Sequence, residues 1–304
     1  MAELDAASPA MTQPPSKPGH GLLDPRTIRE LAGELDLRPT KQRGQNFVHD
    51  ANTVRRIVAA SGIGPDDVVL EIGPGLGSLT LGLLEIADQV IAIEIEHSLA
   101  ARLPQTVAER MPAHTSRLRV VEADALSVRS LPEPQPTALV ANLPYNVSVP
   151  VILHLLATFP SIVRGLVMVQ AEVADRLVAP PGSKTYGIPS VKLAWYCSSR
   201  RVGSVPPTVF WPVPNVDSGL VEVLRRDPPV TSATREQVFA VIDAAFAQRR
   251  KMLRAALAPV FGSSASAQAA LAAVGVDPQA RGEVLDVTDF ARIAEAVPAT
   301  GGVG

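Results

Sequence analysis

Val68-Val69-Leu70-Glu71-Ile72-Gly73-Pro74-Gly75-Leu76-Gly77-Ser78-Leu79-Thr80 passes from a short, largely apolar run through three glycines into a second apolar segment. It reads as a strand that turns through the glycines into a helix. Glycines at such a junction let the backbone turn sharply and approach a ligand closely, because no Cβ intervenes. The spacing Gly-x-Gly-x-Gly differs from the dinucleotide-binding Gly-x-Gly-x-x-Gly, and no Lys-Ser/Thr pair follows to hold nucleotide phosphates. Glu71 stands at the strand end, where its charge opposes a pyrophosphate and suits a ligand carrying an ammonium and a sulfonium. The segment therefore favours S-adenosylmethionine over NAD as the ligand above the turn.

Outward from this turn, apolar runs alternate with helical segments. Val68–Ile72, Val90–Ile93, Leu118–Val121, Ala138–Ala141 and Leu166–Val169 read as strands; Asn52–Ser61, Leu79–Ile86, Leu99–Arg110, Val149–Thr158 and Val173–Val178 read as helices. This alternation predicts an α/β fold with a mainly parallel sheet. Arg201–Val205 and Gly219–Leu224 flank a proline-rich loop and are expected to close the sheet edge as a hairpin. After Arg225-Arg226-Asp227-Pro228-Pro229 the pattern turns helical over Arg235–Ala258, Ala265–Val274 and Asp289–Ala296. The expected organisation is an extension over 1–40, an α/β domain over 41–226, a small all-α domain over 227–298 and a tail over 299–304. The extension is rich in Ala, Pro, Ser and Gly, so it is expected to be mostly disordered, with one candidate helix over Thr27–Leu37.

Acidic residues close successive strands. Glu94, about twenty residues past the glycines, can accept from ribose hydroxyls at the carboxyl edge of the sheet. Asp124 can accept from an adenine amino group, while Ala123 and Ala125 leave room for the ring. After the fourth strand comes Asn142-Leu143-Pro144-Tyr145. An exocyclic base amine is a poor nucleophile, since its lone pair is delocalised into the ring. Two oxygen acceptors, the Asn142 side chain and a backbone carbonyl, can draw that nitrogen toward tetrahedral geometry. Pro144 stiffens the loop without withdrawing an acceptor, and Tyr145 offers a flat face for an unstacked base. The chemistry is direct displacement at a sulfonium methyl, with no metal and no covalent nucleophile.

Composition narrows the setting. The chain has 304 residues, a net charge of −2 and a single cysteine, so nucleic-acid binding must come from local basic patches and no internal disulfide forms. Cys197 reads as a small buried apolar residue. No apolar run approaches the roughly 20 residues of a membrane span, and no secretory pattern opens the chain. The expected location is the cytoplasm.

Taken together, these motifs resemble the ribosomal RNA adenine-N6,N6-dimethyltransferase family, from about Lys41 to Arg254. The resemblance implies a Rossmann-like class I methyltransferase sheet with a small C-terminal all-α domain. It further implies S-adenosylmethionine as cofactor, bound by Asn46 and Val48 of the stretch Gly44-Gln45-Asn46-Phe47-Val48 together with Gly73, Gly75, Glu94, Asp124, Ala125 and Asn142. Phe210, in Phe210-Trp211-Pro212-Val213-Pro214-Asn215-Val216-Asp217-Ser218, is a candidate for the second face of the base sandwich. The segments 170–177 and 181–187 also resemble the family, while Gly187-Ile188-Pro189-Ser190 departs from its usual Gly-Arg-Leu-Ser. Val216-Asp217-Ser218 and the basic stretch Phe246–Arg254 resemble the small-subunit enzymes more than the macrolide-resistance type that modifies the large subunit. On that resemblance Arg249, Arg250, Lys251 and Arg254 engage rRNA phosphates. The implied product is N6-dimethyladenine at two adjacent adenosines near the 3′ end of small-subunit (16S) rRNA, made by a monomer on an assembling 30S particle. An assembly factor with secondary methylation, the large-subunit enzyme and a DNA adenine methyltransferase are the rival readings.

Overall fold

Asp24 opens the first helix, Pro25–Glu34 (α1), by accepting from the Thr27 N–H at 2.8 Å, and Pro25 takes a first-turn position where no N–H is needed. The computed structural model describes residues 21–37, 46–144, 147–248 and 250–298. Residues 21–37 are folded, and the helix expected over Thr27–Leu37 is present as α1, beginning two residues earlier and ending three earlier. Leu22, Leu23, Ile28, Leu31 and Ala32 are buried, and the Arg110 guanidinium donates to the carbonyls of Gly21 and Leu22. These apolar side chains recur at helical spacing, so the segment can bury one stripe against the domain.

The chain continues through Phe47–Val48 (β1), Ala51–Ser61 (α2), Val68–Ile72 (β2), Ser78–Leu84 (α3), Gln89–Glu94 (β3), His97–Arg110 (α4), Leu118–Glu122 (β4), Ala138–Asn142 (β5), Ser148–Thr158 (α5) and Arg164–Gln170 (β6). Ala171–Leu177 (α6), Ile188–Tyr196 (α7), Cys197–Val205 (β7), Phe210–Trp211 (β8) and Ser218–Arg225 (β9) follow. The main sheet has the order β4-β3-β2-β5-β6-β9-β7. Strands β2 to β6 run parallel, and β9 is antiparallel to both neighbours, so the predicted hairpin does close the edge. The strand order reverses between β2 and β5. Open α/β sheets bind ligands at the carboxyl ends of strands at such a point, and here the glycine turn leaves β2 beside Asn142 at the end of β5.

The remaining helices are Arg235–Ala247 (α8), Leu253–Ala256 (α9), Ala258–Phe261 (α10), Ser264–Ala273 (α11) and Val287–Glu295 (α12). The single helix expected over 235–258 ends at Ala247. Beyond it Lys251 N–H closes a turn onto the Gln248 carbonyl, and Leu253 turns into the core, fully buried. Arg250 and Lys251 therefore lie on a turn after α8, while Arg254 belongs to α9. The buried core crosses the boundary at 226. Trp195 meets Phe239 edge-on at 6.2 Å, Tyr186 meets Phe246 edge-on at 6.2 Å, and the Tyr186 hydroxyl donates to the Leu285 carbonyl at 2.7 Å. Cys197 is buried and its thiol pKa is pushed up to about 11 by desolvation, as its apolar reading requires. Among the described residues no helix is long and apolar enough to cross a membrane, and no group of His, Cys, Asp and Glu is set to hold a metal.

Candidate cofactor and base site

Gly73, Gly75 and Gly77 adopt φ of +65°, +58° and +96°, the left-handed region that side chains disfavour. At Gly75 the constraint is double, since a Cβ there would sit 2.6 Å from the Phe47 ring. Phe47 is held in place by β1, which pairs antiparallel with β8 (Phe47↔Trp211, Val48↔Phe210), and its ring stacks on Trp211 at 6.4 Å. The turn, the ends of β3 and β5, the segment after β4 and residues 46–48 enclose a cavity of about 340 Å³. Every proposed cofactor residue lines it: Asn46, Val48, Gly73, Gly75, Glu94, Asp124, Ala125 and Asn142.

The acids differ in setting. Glu94 is 5% exposed; its Oε2 accepts from the Gly75 N–H at 3.2 Å and its Oε1 from the N–H groups of Ile95 and Glu96 at 2.9 and 3.0 Å. Burial raises its pKa against these three donors. The carboxylate thereby joins the glycine turn to the end of β3. Asp124 is exposed, with Oδ1 accepting from the Leu126 N–H at 2.9 Å. Glu71, 1% exposed, accepts from the Thr80 hydroxyl at 2.6 Å, and desolvation pushes its pKa up to about 8. The described lining carries four acids (Glu71, Glu94, Glu96 and Asp124) and no Lys, Arg or His. That donor set fits the methionine, ribose and adenine of S-adenosylmethionine, with its excess positive charge, and opposes a diphosphate.

Asn142 donates through Nδ2 to the Asn46 carbonyl at 3.0 Å. Leu143 is 1% exposed, and its N–H donates to the Met168 carbonyl at 3.0 Å, so this residue anchors the loop in the core beside β6. Pro144 lines the cavity, and its carbonyl accepts from the Val147 N–H at 3.3 Å. Tyr145 lies outside the described residues.

Phe210 is a correction. It is 1% exposed, packs in the core beneath β1 and does not line the cavity. Pairing with Val48 turns its ring inward, so it offers no face to a base in this conformation. Two cavity features were not assigned as site residues from the sequence: the Phe47 ring and Thr80 behind Glu71. Strands β1 and β8 have two residues each, too few to show a period, and Thr80 is one turn into an apolar helix. Arg250 and Lys251 are exposed, whereas Arg254 is partly buried and donates to Gln268 at 3.0 Å. Arg249 falls outside the described residues.

Known proteins share both sequence and arrangement. A relative from Streptomyces avermitilis, named ribosomal RNA small subunit methyltransferase A, is 66% identical over 275 residues, 90% of this chain and 93% of its own length. One of the same name from Cutibacterium acnes is 63% identical over 286 residues, 92% of this chain and 96% of its own. The crystal structure of a dimethyladenosine transferase from Plasmodium falciparum has the same fold, with a TM-score of 0.69 at 24% identity over 81% of this chain and 95% of that one. The 23S rRNA methyltransferase ErmE gives a TM-score of 0.62 at 28% identity, over 83% and 99%. The model of the family described as ribosomal RNA adenine dimethylase matches residues 37–298, and this chain belongs to that family.

Proposed function

We propose that the chain dimethylates N6 of two adjacent adenosines near the 3′ end of small-subunit rRNA, acting as a monomer on an assembling 30S particle. Support for the small-subunit substrate comes from relatives of that name at 60–66% identity, against 28% for the large-subunit enzyme ErmE. The observation that carries the chemistry is the Asn142–Asn46 contact at the cavity edge. The cofactor, S-adenosylmethionine, supplies an electrophilic methyl on a positively charged sulfur.

Each residue then has a defined task. Glu94 receives the ribose hydroxyls, as its carboxylate has lone pairs beyond those used by the three backbone donors. Asp124 receives the cofactor's adenine amino group, with Ala125 leaving space for the ring. Gly73 and Gly75 bring bare backbone to the methionine end, beside Asn46 and Val48. Asn142 Oδ1 accepts one proton of the target amine, and the Leu143 carbonyl accepts the other, Pro144's carbonyl being engaged by Val147. Tyr145 supplies the stacking face. Arg250, Lys251 and Arg254, with Arg249, meet rRNA phosphates, Arg254 from α9, where it also donates to Gln268. Transfer of labelled methyl to unmethylated small subunits, free small-subunit rRNA and large subunits, side by side, tests this reading. Label confined to small-subunit substrates is expected, and label in large subunits would reject it.

A further inference from the structure

We propose that Glu71 discriminates the methyl donor from its demethylated product, giving up its carboxyl proton when the sulfonium enters the cavity and taking one back after the methyl has left. The inference rests on the cofactor reading above. It starts from what surrounds this side chain. Glu71 is at the end of β2 in the cavity wall, 1% exposed. Among the described residues, the one hydrogen bond to its carboxyl is from the neutral Thr80 hydroxyl of α3. From β3 it faces Glu94, a second buried acid that raises the cost of its ionisation. The segments after β3 and β4 add Glu96 and Asp124 to the same cavity, and β5 adds the uncharged Asn142. No described lining residue is a cation. Among the described residues a carboxylate so placed has no countercharge, and desolvation holds its pKa at about 8.

The ligand brings a positive charge to this described lining of acids. At neutral pH S-adenosylmethionine carries one more positive charge than its product, because the sulfonium becomes a neutral thioether when the methyl bonds to the adenine nitrogen, which sheds a proton. In a closed, low-dielectric cavity that charge is screened far less than in water. Entry of the donor therefore stabilises the ionised carboxylate and expels its proton to solvent. Loss of the sulfonium charge after transfer raises the proton affinity of Glu71 again; the carboxyl reprotonates from solvent and no longer favours the ligand it faces. The discrimination thus weakens product binding after each of the successive methylations.

Calorimetric titration of the full chain without RNA, in two buffers of different ionisation enthalpy at pH 7, tests this. S-adenosylmethionine is expected to release close to one proton and S-adenosylhomocysteine close to none, the limit for one linked group being about one. Glu71→Gln is expected to release none with either ligand and to lose preference for donor over product by on the order of tenfold, one pKa unit's worth. Thr80→Val, checked for folding by circular dichroism, removes the donor to the ionised form, so half-maximal proton release should move to higher pH. Equal proton release by the two ligands, or an unchanged ratio and proton count in Glu71→Gln, would overturn the inference while leaving the cofactor reading intact. Failure of the native chain to bind either ligand would overturn both.

Discussion

The Asn142 side-chain amide meets the Asn46 main-chain carbonyl at 3.0 Å, across 96 positions of sequence. A carbonyl only accepts, so the amide nitrogen must face it and Oδ1 is turned the other way. On the proposed reading, the residues that close the methionine end of the cavity thereby also orient the acceptor for the target base. Asn142→Asp replaces the donor with an oxygen and sets two acceptors against each other. The lost bond and unpaired acceptors cost about 1–3 kcal/mol, so single-turnover methyl transfer at saturating cofactor should fall roughly 5- to 150-fold. A native rate would show that the contact does not orient the clamp.

Gly75→Ala should weaken the cofactor site. The left-handed conformation costs a non-glycine residue about 1–2 kcal/mol, and the new Cβ must also displace the Phe47 ring at 2.6 Å. Cofactor affinity, read by calorimetry, should drop roughly tenfold for each 1.4 kcal/mol expressed in binding. Gly182→Ala is the control: it has φ of +82° with nothing within 4 Å and does not line the cavity, so it should lower the melting temperature and leave affinity unchanged.

Glu71 also links stability to pH. Its folded pKa of about 8 lies above the ordinary carboxylate value of 4.5, so its stabilising contribution is complete below pH 4.5 and is lost as pH rises through about 8. Glu71→Gln removes that dependence. Without cofactor, the melting temperature of the variant relative to the native chain should climb between these pH values and level off above pH 8. A difference that stays flat with pH would contradict the buried, protonated state.

Arg250 and Lys251 are exposed on the turn after α8. Replacing both with alanine should weaken binding to small-subunit rRNA without changing which adenosines are modified. If each contacts one phosphate, the slope of log K against log salt should shrink by about 1.4–1.8. An unchanged slope would remove them from the interface.

The parallel sheet was legible because β2, β3, β5 and β6 are buried on both faces, and β2 runs over Val68–Ile72 as the apolar run indicates. Glu94, Asp124 and Asn142 were legible because each closes or follows a strand at the carboxyl edge, where ligands bind. What failed to show was set by distant partners. Phe210 looks available in a proline-rich stretch, yet pairing with Val48 buries it. The helix of the extension was legible in its apolar spacing, but the burial of Leu22 and Leu23 just before it depends on a surface far along the chain. Helix α7 was not assigned from the sequence; Gly187 is its N-cap and Pro189 sits in its first turn.

Nucleoside mass spectrometry of unmethylated small subunits, treated with the native chain or with Asn142→Ala, tests the central claim most directly. The native chain should yield N6,N6-dimethyladenosine at two adjacent positions near the rRNA 3′ end. The variant, with S-adenosylmethionine affinity within a few-fold of native, should lose methyl transfer by about a hundredfold or more, the scale for removing one well-placed transition-state hydrogen bond. Native-level dimethyladenosine from Asn142→Ala would contradict the clamp.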